Sequence, residues 1–455
     1  MLSPLTFRTY RHLFAAQVIA LIGTGFTTVA LALLAYDLAG GDAGLVLGAA
    51  LALKMVAYVG IAPVVGGLAH RLPRKGLLVA LDLVRAAVVL CLPLVSEVWQ
   101  VFALIFVLSA CSAGFTPTFQ ATIPDVLDEP HYTRALSLSR LAYDLENLLS
   151  PTLAGLALLL VSYDALFALN AVAFLVSAGL VLSVTLPRPQ PAERGRGTYA
   201  NISFGIRAYL ATPRLRGVLA LSAAVAAAGA MVIINTVVYV RAEHGGSASD
   251  LALALAASGA GSMLVALLLP HLLDRIADRP VMLAGAALLL VGLLLGLLNP
   301  GLGWLLPVWF VLGCGMSLVQ TPIGRVLRRS CKDSDRPALF AAQFALSHLC
   351  WLFAYPLAGA LGAVFGTGAA FACLALAVAV AATAAACLWP RDDATELAHV
   401  HEAVAHEHLH THDEHHQHAH AGWEGPEPHS HAHRHAPLRH RHAYVIDLHH
   451  SQWPA

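Results

Sequence analysis

The sequence predicts an all-α membrane protein of twelve transmembrane helices in two six-helix halves, followed by a disordered C-terminal tail. Three observations carry this expectation. The composition is 58% hydrophobic and only 12% charged, where a soluble domain carries about 25% charged residues. Apolar runs long enough to cross a bilayer recur twelve times. Short motifs of the first half return at matching places in the second.

A spanning helix needs about 20 mostly apolar residues. By that test the first six spans are 13–37, 44–69, 76–95, 99–119, 138–161 and 165–186. The second six are 215–240, 250–273, 280–298, 303–324, 338–362 and 367–389. Lipid offers the backbone no hydrogen-bond partner, so these runs must be helical, and they lack the alternation of barrel strands. Their abundant Gly and Ala let helix backbones approach closely. The run that starts near Leu13 is expected to be a retained span, because no cleavage site and polar mature domain follow it.

Lys+Arg and Asp+Glu balance at 27 each, so net charge says nothing about partners, whereas its distribution does. Basic residues gather in alternate loops: Arg8 and Arg11; Arg71, Arg74 and Lys75; Arg134; Arg188, Arg194, Arg196, Arg207 and Arg214; Arg275 and Arg279; Arg328, Arg329, Lys332 and Arg336. The opposite loops contain only Arg241. The positive-inside rule then places both termini in the cytosol of a multi-pass protein of a bacterial inner membrane. The domains expected are an N-terminal half, 1–186; a cytosolic Pro-, Arg- and Gly-rich linker, 187–214; a C-terminal half, 215–390; and the tail, 391–455.

The halves echo each other. After the second span comes Gly66-Gly67-Leu68-Ala69-His70-Arg71-Leu72-Pro73-Arg74-Lys75, and after the eighth Pro270-His271-Leu272-Leu273-Asp274-Arg275. Ser150-Pro151-Thr152-Leu153-Ala154-Gly155 in the fifth span matches Tyr355-Pro356-Leu357-Ala358-Gly359 in the eleventh. Two such halves suit alternating access, with substrate held between them at midplane.

Residues 66–75 resemble the G-x-x-x-D-R-x-G-R-[RK] loop signature of the major facilitator superfamily. Gly66, Arg71, Arg74 and Lys75 keep its pattern, while His70 replaces its acid and Pro73 its glycine. The resemblance implies a conformational latch in this loop, with Asp274 and Arg275 keeping the acid–base pair in the second half. The stretch Phe115-Thr116-Pro117 through Ile123-Pro124-Asp125 to Ser150-Pro151 is similar to the efflux branch that includes siderophore exporters and macrolide pumps. Residues 316–359, with Met316-Ser317-Leu318-Val319-Gln320-Thr321-Pro322 and Arg336-Pro337-Ala338-Leu339-Phe340, resemble the nickel-resistance permease type, which also ends in a histidine-rich tail. The resemblance implies an exporter of nickel, and of cobalt or zinc, driven by proton antiport.

The tail holds 18 of the 24 histidines. The candidate metal ligands are His406, His408, His410, His412, His415, His416, His418, His420, His429, His431, His433 and His435. Neutral imidazole suits divalent nickel, copper, zinc and cobalt. In an extended chain, His-x-His places two rings on one side. The tail is expected to collect metal rather than to translocate it, since it lies outside the bilayer.

Charges inside a bilayer need a partner or a task. At ~1.5 Å per residue, Lys54, Asp144 and His348 fall near the midplane, and Asn147 shares a helical face with Asp144. These four and Glu146 are the candidate transport path. Glu146 lies nearly opposite Asp144 around the helix, so one of the two acids is expected to meet a neighbouring helix. Lys54 either pairs with an acid and locks two helices, or is displaced by substrate during the cycle. Asp82 and Arg85, three apart, read as a structural pair.

No G-x-x-x-x-G-K-[ST] loop is present, no catalytic constellation appears, and the seven cysteines form no CxxC pair. The chain is expected to be no enzyme and to need no resident cofactor. Its expected partners are a small inorganic cation, protons and membrane lipid, with no nucleic acid, and it is expected to act as a monomer. Two other readings remain open: an exporter of an organic solute whose tail buffers metal, and a membrane metal sensor that transports nothing.

Overall fold

A computed structural model describes residues 2–39, 43–69, 72–187, 198–299 and 301–393, with 396–401, 405–410, 429–434, 438–446, 450 and 453 of the tail. The first half contains α1 (Arg8–Ala39), α2 (Ala43–Leu68), α3 (Arg74–Cys91), α4 (Val98–Thr122), α5 (Glu129–Leu158) and α6 (Tyr163–Leu182). A connecting helix, α7 (Thr198–Ala211), precedes the second half. That half contains α8 (Pro213–Ala230), α9 (Ala248–Leu273), α10 (Asp278–Gly296), α11 (Leu302–Gln320), the short α12 (Ile323–Arg328) and α13 (Arg336–Leu388). Two π-helical segments, Met231–Asn235 and Val238–Glu243, prolong α8.

Ten described helices are apolar and long enough to cross a membrane, and two features raise the number of spans to twelve. The 53 residues of α13 would measure ~80 Å if straight, far beyond a hydrocarbon core of about 30 Å. Gly366 breaks it with φ 82° and ψ 165°, a conformation that a residue with a Cβ rarely adopts, so α13 is a hairpin of two spans. The other is α5, whose Arg140, Asp144 and Glu146 dilute its apolar character but are met inside the bundle. Its first turn is set by Asp128, which accepts from the His131 backbone N–H at 3.1 Å. The hydrogen bond from the His131 side chain holds the Asp128 carboxyl below the usual carboxylate range.

Each half builds its own core from the apolar faces of its helices. In the first half the pair read from the sequence is present: Arg85 reaches Asp82, which also accepts from Ser177 Oγ at 2.8 Å. The Arg85 guanidinium lies between the rings of Phe115 and Phe174, 4.1 and 4.5 Å from their centroids. Paired and sandwiched in this way, the buried charge avoids the cost of a lone ion in lipid.

The halves meet on the side that carries the basic loops, here termed the basic side. Gly66 on α2 abuts Ala341 on α13, and a Cβ on Gly66 would lie 3.0 Å from the Pro337 carbonyl oxygen. Helix α7 straddles this seam. A Cβ on Gly67 would lie 2.6 Å from Ile202 Cα, and Gly205 abuts the Ala338 carbonyl. Glycine is required at these crossings because the backbones themselves touch.

The exit of α13 is tied to the same side. Asp393 accepts from Trp389 Nε1 at 2.7 Å and from Arg329 at 2.6 Å, and lies 3.3 Å from Arg214. In the tail, β1 (Glu396–His401) pairs antiparallel with β4 (Leu438–Ala443), and β2 (Ala405–His410) with β3 (His429–Arg434). The period-two alternation of His-x-His suits such extended backbone. A two-stranded ladder alone is marginal in water, so these pairings do not make the tail a domain. His412, His415, His416, His418, His420 and His435 lie outside the described residues. Tyr444 and Ile446 are buried against the second half, and Trp453 covers Arg214 at 5.1 Å.

Candidate transport path and the gate between the halves

The basic side is closed by three layers of contact between the halves. In the outermost, Asp125 sits in the 3-10 turn Ile123–Asp125 that ends α4. It pairs with Arg74, the first residue of α3, and with Arg336, the first residue of α13 in the other half. The second half answers with Arg325, which pairs with Asp278 at 3.2 Å and donates to Thr133 of α5 at 3.0 Å. Nearby, the Arg328 guanidinium covers the Tyr132 ring at 5.4 Å. The arrangement is a charge-inverted echo. At the equivalent junction of helices the first half joins Arg74 to Asp125, whereas the second joins Asp278 to Arg325.

The next layer lies deeper, between α5 and α9. Arg140 and Asp144 are 2.9 Å apart one helical turn from each other. Ser262 of α9 donates to Asp144 at 2.6 Å, and Arg140 Nε donates to Ser262 at 2.9 Å. Arg140 also donates to the Gln320 side-chain oxygen at the end of α11. An acid, a base and two neutral partners thus form one connected unit across the halves.

The innermost layer is apolar and aromatic. Ala62 and Ala113 pack against Ala341 and Ala345. Above them Tyr58 of α2 meets Phe344 and His348 of α13, with ring centroids 4.9 and 4.8 Å apart. The small side chains allow the close approach that Gly66 begins.

Beyond this plug, Lys54 lies one helical turn above Tyr58, 5.6 Å from its ring centroid. It is the charge acting on both Glu146 and His348. The His348 ring offers its Nδ1 to the Phe344 carbonyl at 2.7 Å. Nδ1–H donating there makes Nε2 the acceptor, the state in which imidazole takes a proton or a metal ion. One turn further, Trp351 and Tyr355 lie against each other at 5.0 Å.

Of the five path residues read from the sequence, the structure therefore gathers Lys54, Glu146 and His348 at one level. Asp144 turns instead to Arg140 and α9, which answers which of the two acids meets a neighbouring helix. Asn147 lies on α5, but its side chain falls outside the described residues. Among the described residues no three His, Cys, Asp or Glu side chains converge as a metal site. In the loop signature, Gly66 and Arg74 serve the gate as described, while Arg71 lies outside the described residues. Lys75 follows Arg74 in the first turn of α3, and Asp274 and Arg275 are exposed where α9 ends.

Sequence reasoning missed Arg140, Asp125 as a gate residue, and Tyr58. The i, i+4 spacing of Arg140 and Asp144 was a usable signal for the first. Nothing local marks Asp125 or Tyr58 as gate residues, because the contacts that close the gate, to Arg336 and to Phe344 and His348, lie in the other half.

In the tail, strand register sets histidine opposite histidine: His406 with His433, His408 with His431, and His410 with His429. Alternate strand positions share a face, so these six positions occupy one face of the ladder as three cross-strand pairs.

Two helical halves related by repeat and held against each other on one side have the architecture of a membrane transporter. The chain belongs to the Major Facilitator Superfamily, whose sequence pattern matches residues 13–220 and again 219–425. It is thus a transporter and not an enzyme. It is similar to YfiS, an uncharacterized MFS-type transporter of Bacillus subtilis (strain 168), 24% identical over 324 residues that make up 68% of this chain and 76% of YfiS. It is also similar to Macrolide efflux protein A of Streptococcus pyogenes, 25% identical over 181 residues, or 39% of this chain and 44% of that protein. A bacterial homologue of the iron transporter ferroportin, in the outward-facing state, superposes with a TM-score of 0.71 at 12% identity, over 84% of this chain and 99% of that one. At that identity the likeness shows the fold alone.

Proposed function

We propose that this protein exports a divalent metal ion, nickel first and cobalt or zinc with it, from the cytosol of a bacterium in exchange for protons. The observation that carries the metal reading is the histidine ladder. Its register sets three histidine positions opposite three others on one face, and opposed positions of an antiparallel pair stand about 5 Å apart, a spacing at which two imidazoles can share one ion. Proximity to the basic side, which the positive-inside rule assigns to the cytosol, makes the tail a collector for the path. There, His348 Nε2 and the Glu146 carboxylate are the groups suited to an ion or a proton, with Lys54 as the charge to be displaced. The basic-side-closed arrangement is then the state from which the ion leaves and a proton enters.

A second reading, export of an organic solute, is favoured by the aromatic contact of Tyr58 with Phe344 between the halves and by the likeness to a macrolide efflux protein. The two separate in one experiment. Uptake of nickel, cobalt and zinc is measured in inside-out vesicles under an inside-acid gradient, with the full chain and with residues 399–455 deleted. Gradient-driven uptake of a metal, with the truncated protein needing more metal to saturate, supports the proposal. Absence of metal uptake by folded, reconstituted protein overturns it in favour of an organic substrate.

A further inference from the structure

On α13, Phe344 and His348 meet Tyr58 of the other half, and Trp351 and Tyr355 continue that side at one-turn intervals. The opposite side carries Leu346, Leu349 and Phe353 in another such row. This second row forms one wall of an apolar groove of about 440 Å³. The other wall is a matching row on α8: Arg216, Leu219, Ala220 and Ala223. The alanines make the depression, and the end of α13 at Leu388 closes it toward the basic side. Because the groove lies on the face away from the path, it opens to the bilayer.

Arg216 is the one charged residue in the lining. It is exposed, and among the described residues it forms no ion pair, in contrast to Arg214 two positions earlier, which is buried against Asp393. Two residues are 200° of helix apart, so the two arginines point to opposite sides of α8. A cation at the interface end of an apolar groove is complementary to one class of bilayer molecule, a lipid with an anionic phosphate and acyl chains. A neutral lipid leaves the guanidinium without a counter-charge, and a free anion leaves the groove without an occupant.

We propose that this groove is a binding site for an anionic phospholipid, with the headgroup phosphate on Arg216 and one acyl chain along Ala220 and Ala223. The site is separate from the transport path, and its occupancy ties α8 to both arms of α13, the helices that surround the seam with α2. A lipid seated there stabilises the second half as one body.

The test uses the full chain purified in detergent, with lipid binding read by native mass spectrometry and by the thermal unfolding midpoint. Phosphatidylglycerol, phosphatidylcholine of the same chains, and inorganic phosphate are added in turn. Phosphatidylglycerol should be retained preferentially and should raise the midpoint more than phosphatidylcholine. Arg216→Gln should weaken phosphatidylglycerol about fivefold, the worth of one interfacial arginine, and remove the preference. Ala220→Phe, which fills the groove, should weaken both lipids, and Arg207→Gln, an exposed arginine elsewhere on the basic side, should change neither. Equal response to the two lipids, or full preference retained in Arg216→Gln, overturns the proposal. So does stabilisation by inorganic phosphate equal to that by phosphatidylglycerol, which would mark a free-anion site.

Discussion

Ser262 on α9 donates a hydrogen bond to Asp144 on α5 at 2.6 Å, joining one half of the molecule to the other near the middle of the bilayer. Asp144 also has Arg140 at 2.9 Å on its own helix. The bond across the halves is therefore made by a neutral donor to an already paired carboxylate. Such a link holds without placing an uncompensated charge in the seam, and it is released when the pair reorganises.

Replacing Asp144 by Asn removes the charge that holds Arg140 while preserving size. Breaking a buried pair from one side costs about 3 kcal/mol, so the variant should be less stable and its transport should fall, with tail metal binding unchanged. Vesicle flux and isothermal titration of the same preparation check this. Flux equal to that of the parent would show that the Arg140–Asp144 unit is not used in the cycle.

Asp125 binds Arg74 within its half and Arg336 across the gate. Asp125→Ala should therefore loosen the gate more than Arg336→Ala, which leaves the Arg74 pair intact. The measurement is labelling, from the basic side, of a cysteine placed at Ala113, which is buried in the closed gate. The double variant should label less than the sum of the single effects, because both act through one pair.

At Gly66 an added Cβ has no room beside Ala341 and the Pro337 carbonyl. Gly66→Val should destabilise the closed gate by about 1–3 kcal/mol, which is roughly a tenfold shift in population for each 1.4 kcal/mol. Gly66→Ala combined with Ala341→Gly should recover closure, since the methyl is moved across the seam rather than added. Failure of the pair to improve on Gly66→Ala would mean that the contact with Ala341 does not limit closing.

His348→Ala removes the one midplane imidazole. Metal flux should fall, while metal binding by the tail should persist. Protonated imidazole cannot bind metal, so isothermal titration of the tail should show metal binding weakening as the pH falls. Unchanged flux in His348→Ala would remove this residue from the path.

The extent of what was legible follows the range of each interaction. Twelve spans and the repeat are written in runs of about 20 residues, because the solvation of a backbone in lipid depends only on local composition. The Asp82–Arg85 pair was legible for the same reason, its partners lying one turn apart. Glu146 and Asp144 were separable by helical angle, but which of them faces Lys54 depended on a residue about 90 positions away.

What the sequence by itself determined, then, is a membrane transporter of two repeated halves with a histidine-dense tail. Only the tertiary structure decided that Asp144 belongs to a bond between the halves, that Asp125 and Arg336 close the gate, and that six tail histidines stand in register on one face. Those decisions depend on which helix faces surround each group, and a side chain's neighbours across a packed seam leave no periodic trace in the chain that carries it.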